Sequence, residues 1–136
     1  MRIGTDIVEI YRIKGAVDRS VKFAERILTA NELAIYESYP ELRRYEFLAG
    51  RFSAKEAYGK ALRTGVGTQV KFVDIEILPD NFGVPHITQG PIVEGAHISI
   101  SHAKEYATAV ALIELNEDDI EKQLSAFHQH KEEQNG

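Results

Sequence analysis

The chain has 136 residues, 43% hydrophobic and 27% charged, which fits one globular domain with a real core; it has no cysteine, which excludes disulfides and thiolate chemistry. No apolar run is long enough to span a bilayer, and the opening Met1-Arg2-Ile3-Gly4-Thr5-Asp6 holds no signal-like apolar region, so a soluble cytoplasmic protein is the expectation. The net charge of −5 is unevenly placed, since residues 114–136 carry seven acids against two bases while residues 12–63 hold eleven bases; a basic region on an acidic protein points to an anionic partner, with nucleic acid, an anionic metabolite and an acidic protein all open.

Residues 2–10 alternate, with Ile3, Thr5 and Ile7 on one face and Gly4, Asp6 and Val8 on the other, the period of a strand. Aspartate is depleted in strands. Asp6 therefore either ends this strand and caps the next turn, or is a carboxylate held by a rigid element and aimed at a site. Over residues 11–28 the spacing of Ile13, Val17, Phe23, Ile27 and Leu28 predicts helical segments, broken near Asp18-Arg19-Ser20. Arg12, Lys14, Arg19, Lys22 and Arg26 make their outer face basic. Thr29-Ala30-Asn31-Glu32 is a capping box, predicting a helix from about 30 to Tyr39, before Pro40.

A long helix follows over about 41–63. Phe47, Leu48, Phe52, Tyr58, Ala61 and Leu62 supply its apolar material. Arg51, Lys55, Glu56 and Lys60 supply charge. Helix residues three or four apart are neighbours, which places the Glu56 carboxylate among these three cations, either as solvated, salt-bridged surface or as part of a site. Thr64-Gly65-Val66-Gly67-Thr68 breaks the helix, and its two glycines permit a tight turn and close backbone approach to a ligand.

Phe72–Leu78 alternates as a strand with Val73, Ile75 and Ile77 on one face. Pro79–Gly83 is a turn cluster, and Val84–Thr88 returns to give a hairpin, with Pro85 marking an edge strand. After a loop at Gly90-Pro91 and Gly95, His97–Ser101 reads as a strand and His102–Glu105 as a turn. Tyr106–Leu115 is the last strand, apolar on both faces and so central or at an interface. Asn116 is a good N-cap, and Glu117, Asp118 and Asp119 fill a first turn where the helix dipole favours acids. The stripe Ile120, Leu124, Phe127 predicts a helix to about His128, followed by a disordered polar end.

If Asp6 and Glu56 meet, the pair makes a poor cage for Ca2+, which takes about six to eight oxygens, but matches the way Mg2+ is held, by one or two carboxylates with waters and substrate phosphates. Arg51, Lys55 and Lys60 would then neutralise phosphate oxygens, and phosphoryl transfer asks mainly for positioning and charge stabilisation. Nothing in the spacing itself brings Asp6 to Glu56. His102, after the small residues Ser99 and Ser101, is either exposed surface or a phosphate donor or proton carrier. His86 and His97 read as structural.

Four blocks in order, Gly4-Thr5-Asp6-Ile7-Val8-Glu9, Phe23–Thr29, Glu46–Lys60 with its Arg-Phe-x-x-Lys-Glu-Ala-x-x-Lys pattern, and Ile98–Tyr106, resemble holo-[acyl-carrier-protein] synthase, the small bacterial type of 4′-phosphopantetheinyl transferase. The resemblance covers residues 1 to about 115, as a single domain, with 116–136 an acidic extension beyond the short members of the family. It implies an α+β fold: an antiparallel sheet packed with helices, one long helix carrying the metal-ligand glutamate. It implies transfer of 4′-phosphopantetheine from coenzyme A to a serine of apo acyl carrier protein, with release of adenosine 3′,5′-bisphosphate. Asp6 and Glu56 match the metal ligands, for Mg2+ with Mn2+ or Ca2+ able to substitute. Lys60 matches a lysine on the leaving phosphate, so that Asp6, Glu56 and Lys60 form the catalytic set. Arg51, His102 and the loop at Thr64 and Gly65 match positions around the nucleotide. Arg12, Lys22 and Arg26 match the basic surface that receives the acidic carrier, although Lys at position 22 lacks the planar fork of Arg. The resemblance further implies a homotrimer with sites where subunits meet, and neither nucleic acid nor membrane as partner. Two competing readings share the residues: a metal-dependent nucleotide phosphohydrolase, and a basic nucleic-acid-binding module, the latter without matching exposed aromatics or a binding motif.

Overall fold

The computed structural model describes residues 1–135. In chain order the elements are β1 (Arg2–Glu9), α1 (Ile10–Arg19), α2 (Phe23–Ile27), α3 (Ala30–Ser38), α4 (Glu41–Leu62), a 3-10 turn (Phe72–Asp74), β2 (Glu76–Pro79), β3 (Pro85–Gln89), β4 (Ala96–His102), β5 (Tyr106–Ile113) and α5 (Glu117–Asn135). The strands form two antiparallel sheets, β1-β5-β4 and the β2-β3 hairpin. β5 is the central strand of the larger sheet, one of the two places its apolar character allows. The fold is α+β, and α4 lies across the inner face of that sheet.

Small residues let α4 come so close. Ala107, Ala109 and Ala111 of β5 and Ala54, Ala57 and Ala61 of α4 are all buried. Gly4 of β1 is the tightest point: a Cβ there would lie 2.1 Å from the Ala57 carbonyl oxygen and 2.7 Å from the Ala61 nitrogen. The strand alternation then decides the rest. Arg2, Gly4, Asp6 and Val8 share the face turned to α4, while Ile3 and Ile7, 66% and 65% exposed, point away from it.

The charges of α4 are placed otherwise than neighbour spacing predicts. Lys55 does not flank Glu56 on a solvated face; it is fully buried, with its Nζ donating to Glu32 Oε1 at 2.6 Å, the Ile27 carbonyl at 2.6 Å and the Phe72 carbonyl at 3.0 Å. Glu32 is also the capping-box glutamate. Its Oε1 accepts from the Thr29 amide at 2.8 Å and its Oε2 from the Ile77 amide at 2.9 Å. One buried ion pair therefore joins α2, α3, α4 and β2. Burial lowers the Lys55 pKa, and the Glu32 charge opposes that. Arg51 is also buried, with its Nε donating to the Ile77 carbonyl at 3.0 Å and its guanidinium 4.5 Å from the Phe47 ring centre.

Two element boundaries differ from expectation by more than two residues. The segment expected as a strand from Phe72 begins as a 3-10 turn, because Asp74 turns back to accept from the Lys71 amide at 2.7 Å; the strand starts only at Glu76. Val73 is accordingly exposed while Ile75 and Ile77 are buried. The helix expected to stop near His128 continues to Asn135, and Asn116 caps its start, accepting from the Asp119 amide at 2.8 Å. Ile120 and Leu124 enter the main core, with Phe127 packed against it.

Alanine normally improves on glycine in a strand, but Gly4→Ala is expected to lower unfolding free energy by about 1–3 kcal/mol, because the new methyl overlaps the α4 backbone. Chemical denaturation reads this, and an unchanged midpoint contradicts the close crossing. Lys55→Met, which leaves Glu32 as an unpaired buried charge, should lower stability by about 3–5 kcal/mol, measured the same way; a loss below about 1 kcal/mol would place the pair in the range of ordinary surface ion pairs.

Candidate active site

The contact at Gly4 sets the register of β1 on α4, and two residues later the same strand face delivers Asp6 to the helix turn that carries Glu56 and Lys60. Lys60 Nζ donates to Asp6 Oδ1 at 3.1 Å and to the Thr5 carbonyl at 3.0 Å. The Asp6 side chain is 15% exposed and that of Lys60 53%. On the other side of β1, Thr108 Oγ1 of β5 donates to the Asp6 carbonyl at 2.8 Å, which fixes the backbone under the carboxylate. Strand alternation alone gives no signal for Thr108; it is found only from the β1–β5 register, where it faces Ile7.

Asp6 and Glu56 line one cavity of about 310 Å³, together with Arg12, Arg19, Ile13, Phe23 and Phe52. Burial raises the Glu56 pKa, the nearby Asp6 charge raises it further, and Lys60 pulls against both. The Asp6 carboxylate is thus close enough to disfavour the charge on Glu56. That arrangement suits a divalent cation. Among the described residues no group of three or more metal-ligating His, Asp or Glu side chains occurs. A two-carboxylate site leaves the remaining coordination positions of such a cation to water and phosphate oxygens.

Arg51 is not part of this cluster. It stands five residues before Glu56, roughly 140° round the helix at 3.6 residues per turn. It lines a second cavity of about 340 Å³ with His102, Arg43, Glu46, Tyr39 and Pro85. There His102 Nδ1 lies 3.4 Å from Glu46 Oε2, and burial lowers the Arg51 pKa. Arg43 adds a second arginine to this cavity that motif reading left out; its only signal was membership of the basic stretch 12–63.

The Thr64–Thr68 loop folds back on α4 beside Lys60. The Gly65 amide donates to the Gly59 carbonyl at 3.0 Å, and a Cβ on Gly59 would lie 2.9 Å from the Gly65 carbonyl carbon. Arg63 caps α4 in the left-handed region at φ 66°, and Gly65 repeats that φ. Thr64 Oγ1 donates to the Gly65 carbonyl at 2.9 Å. Arg12, Lys22 and Arg26 are all exposed, on α1, the α1–α2 turn and α2. Of these Arg12 reaches the rim of the Asp6–Glu56 cavity, and Arg19, a base of the same helix outside the expected site residues, joins it there. Arg26 Nη2 donates to Ser20 Oγ at 3.3 Å.

The family model for the 4′-phosphopantetheinyl transferase superfamily matches residues 2–111. The chain is 53% identical over 112 residues to holo-[acyl-carrier-protein] synthase of Geobacillus kaustophilus, covering 82% of this chain and 87% of that one. It is 51% identical over 113 residues to holo-[acyl-carrier-protein] synthase of Bacillus subtilis, covering 82% and 93%. Among solved structures it is similar to the Bacillus anthracis holo-(acyl-carrier-protein) synthase in complex with CoA (3′,5′-ADP), with TM-score 0.78, 45% identity, and 85% and 96% of the two chains covered. It is also similar to the Helicobacter pylori enzyme in complex with coenzyme A, with TM-score 0.72, 35% identity and coverage of 82% and 98%. With the crossing of β1 on α4, the shared fold and these identities, the chain belongs to the 4′-phosphopantetheinyl transferase superfamily, in its holo-[acyl-carrier-protein] synthase family.

Proposed function

We propose that this chain transfers the 4′-phosphopantetheine group of coenzyme A to a serine of apo acyl carrier protein and releases adenosine 3′,5′-bisphosphate, with Mg2+ held by Asp6 and Glu56. The observation that carries this reading is the pair of carboxylates in one cavity, with Lys60 at Asp6 and two arginines at the rim. Mg2+ bound there would supply charge stabilisation to the transferred phosphoryl group. Lys60, half exposed and anchored on the Thr5 carbonyl, presents its ammonium to the charge of the departing bisphosphate. Thr64 and Gly65, in the loop that follows α4, border the phosphates. Ile13, Phe23 and Phe52 give the cavity apolar walls, and Arg12, with Lys22 and Arg26 beyond it, offers positive charge to an acidic carrier.

Arg51 and His102 are assigned to the nucleotide end of coenzyme A, and their cavity is not the one that holds Asp6 and Glu56. A homotrimer reconciles the two, with one subunit offering the carboxylates and its neighbour the arginine and histidine. The outer face of the β1-β5-β4 sheet supports this assembly, because Ile3, Ile7, Tyr106 and Val110 lie exposed on it. The setting proposed is the cytoplasm.

Incubation with coenzyme A, Mg2+ and apo carrier protein tests the proposal. A mass gain of one phosphopantetheine on the carrier is the expected result. Bisphosphate release that needs no carrier would instead mark a phosphohydrolase, and no turnover with salt-sensitive oligonucleotide binding would mark a nucleic-acid module.

Asp6→Ala and Glu56→Gln should each abolish transfer while the protein stays folded; unfolding of both variants by circular dichroism would return the pair to a structural role. A carboxyl whose pKa is raised by folding favours the folded state at low pH, and that contribution is lost as pH rises through the raised value. At neutral pH the Glu56 charge is thus a burden on the metal-free protein. Glu56→Gln should melt no lower than wild type without metal, and should lose the upward melting shift that Mg2+ gives the wild type. That shift should itself shrink as pH falls toward the ordinary glutamate range, where a proton competes with the ion. Charge reversal at Arg12 or Arg26 should raise KM for the carrier about tenfold or less, as loss of one rim charge does, and leave KM for coenzyme A unchanged; equal damage to both constants contradicts the assigned surface.

A further inference from the structure

The acidic extension lies outside the residues that the family model matches, yet it is built into the structure at both ends. At its start, Glu117 and Glu121 grip Arg2. The buried Arg2 guanidinium donates from Nη2 to Glu117 Oε2 at 2.6 Å and to Glu121 Oε1 at 3.0 Å, and from Nη1 to the Leu62 carbonyl at 2.8 Å. Leu62 is the last residue of α4, and Arg63 Nη1 stands 3.9 Å from Glu117. Towards its other end, Lys131 Nζ donates to Asp74 Oδ2 at 2.5 Å, the same oxygen that accepts from the Lys71 amide. Both partners are about four-fifths buried. Between the two anchors runs the segment 63–74, and His128, Lys131 and Glu132 share a cavity of about 450 Å³ with Thr68, Gln69 and Lys71 of it.

This segment begins with Thr64 and Gly65 and is closed onto α4 at Gly59, next to Lys60. Val66 and Val70 pack on the main core, and at its far end Phe72 stacks on Phe52 and accepts from Lys55, so the stretch left for α5 to hold is the exposed tip between them. Within it the Gly67 amide bonds to the Val70 carbonyl at 2.7 Å, Val70 is buried, and Gly67, Thr68 and Gln69 are exposed. We propose that α5 is a strap that holds the loop 63–71 in its binding geometry, with Lys131 as the positioning residue at the far end. The strap acts on the phosphate side of coenzyme A and takes no part in the transfer step. The inference rests on the proposed function for its kinetic reading, but the loop's order is measurable without turnover.

Two variants separate the effects. Lys131→Glu places a carboxylate against Asp74, and Lys131→Arg keeps the cation. In the full-length protein with Mg2+ and apo carrier, Lys131→Glu should raise KM for coenzyme A about threefold or more, the scale of one partly buried ion pair. The turnover number and the KM for carrier should stay within about twofold of wild type, since neither the catalytic pair nor the carrier surface is touched. Lys131→Arg should restore the wild-type constants. Amide exchange in residues 64–71 should quicken in Lys131→Glu and not in Lys131→Arg. Faster exchange with an unchanged coenzyme A constant overturns the positioning role and leaves a purely structural helix. Unchanged exchange overturns the strap itself. Absence of transfer by the wild type would strike the proposed function instead, and the exchange experiment would still decide whether α5 orders the loop.

Discussion

The crossing of β1 on α4 at Gly4 governs everything that follows it. With no Cβ in the way, the strand backbone lies against Ala57 and Ala61, nearer than any other residue type permits. The period-2 pleat then carries the effect of this one contact on to Asp6. Asp6 must share the face of Gly4, so it is pressed toward the turn of α4 that bears Glu56 and Lys60. A slip of one residue would send Asp6 outward and turn Ile3 and Ile7 toward the helix. The pairing of all eight β1 residues with β5, from Arg2↔Ile113 to Glu9↔Tyr106, guards against that slip.

The helix itself is held by a polar interior. Glu32 serves two structures at once, as the capping-box partner of Thr29 and as the counterion of Lys55. Nearby Glu76 accepts from Thr29 Oγ1 at 2.6 Å and Thr88 Oγ1 at 2.8 Å, so it too is satisfied although buried. Burial alone would raise the Glu76 pKa, but these hydrogen bonds, with that from Asn31, outweigh it and bring the pKa down. Such buried ions reward correct assembly, because each is costly unless all its partners arrive. Tyr58 works likewise, donating to the Ile92 carbonyl and accepting the Ile92 amide at 2.9 Å, which ties α4 to the loop before β4.

Much of this was legible in the residues. The alternation of residues 2–10 gave the correct face to Asp6, the Thr29–Glu32 box gave the start of α3, and Pro85 marked the edge strand. The function of the charges on α4 was less legible, because neighbour spacing says which residues adjoin but not which face is buried. Spacing groups Lys55 with Glu56 and Lys60 as one charged set, yet its partner Glu32 is far away in sequence. Neighbour spacing groups Arg51 with Glu56 and Lys60, whereas the resemblance sets Arg51 and His102 around the nucleotide; in this chain the two line a cavity apart from that of Asp6 and Glu56. The apolar stripe of the tail ends at Phe127, so its pattern predicts helix and then disorder; the Lys131–Asp74 pair that continues the helix depends on a long-range contact.

Diffraction from crystals grown with Mn2+ and coenzyme A tests the central claim most directly. Anomalous scattering should place one ion at about 2.1 Å, give or take the usual spread for a hard six-coordinate cation, from an oxygen of Asp6 and an oxygen of Glu56 on the same subunit. An ion bound by only one of them, or by neither, while coenzyme A is seated at Lys60, would contradict it.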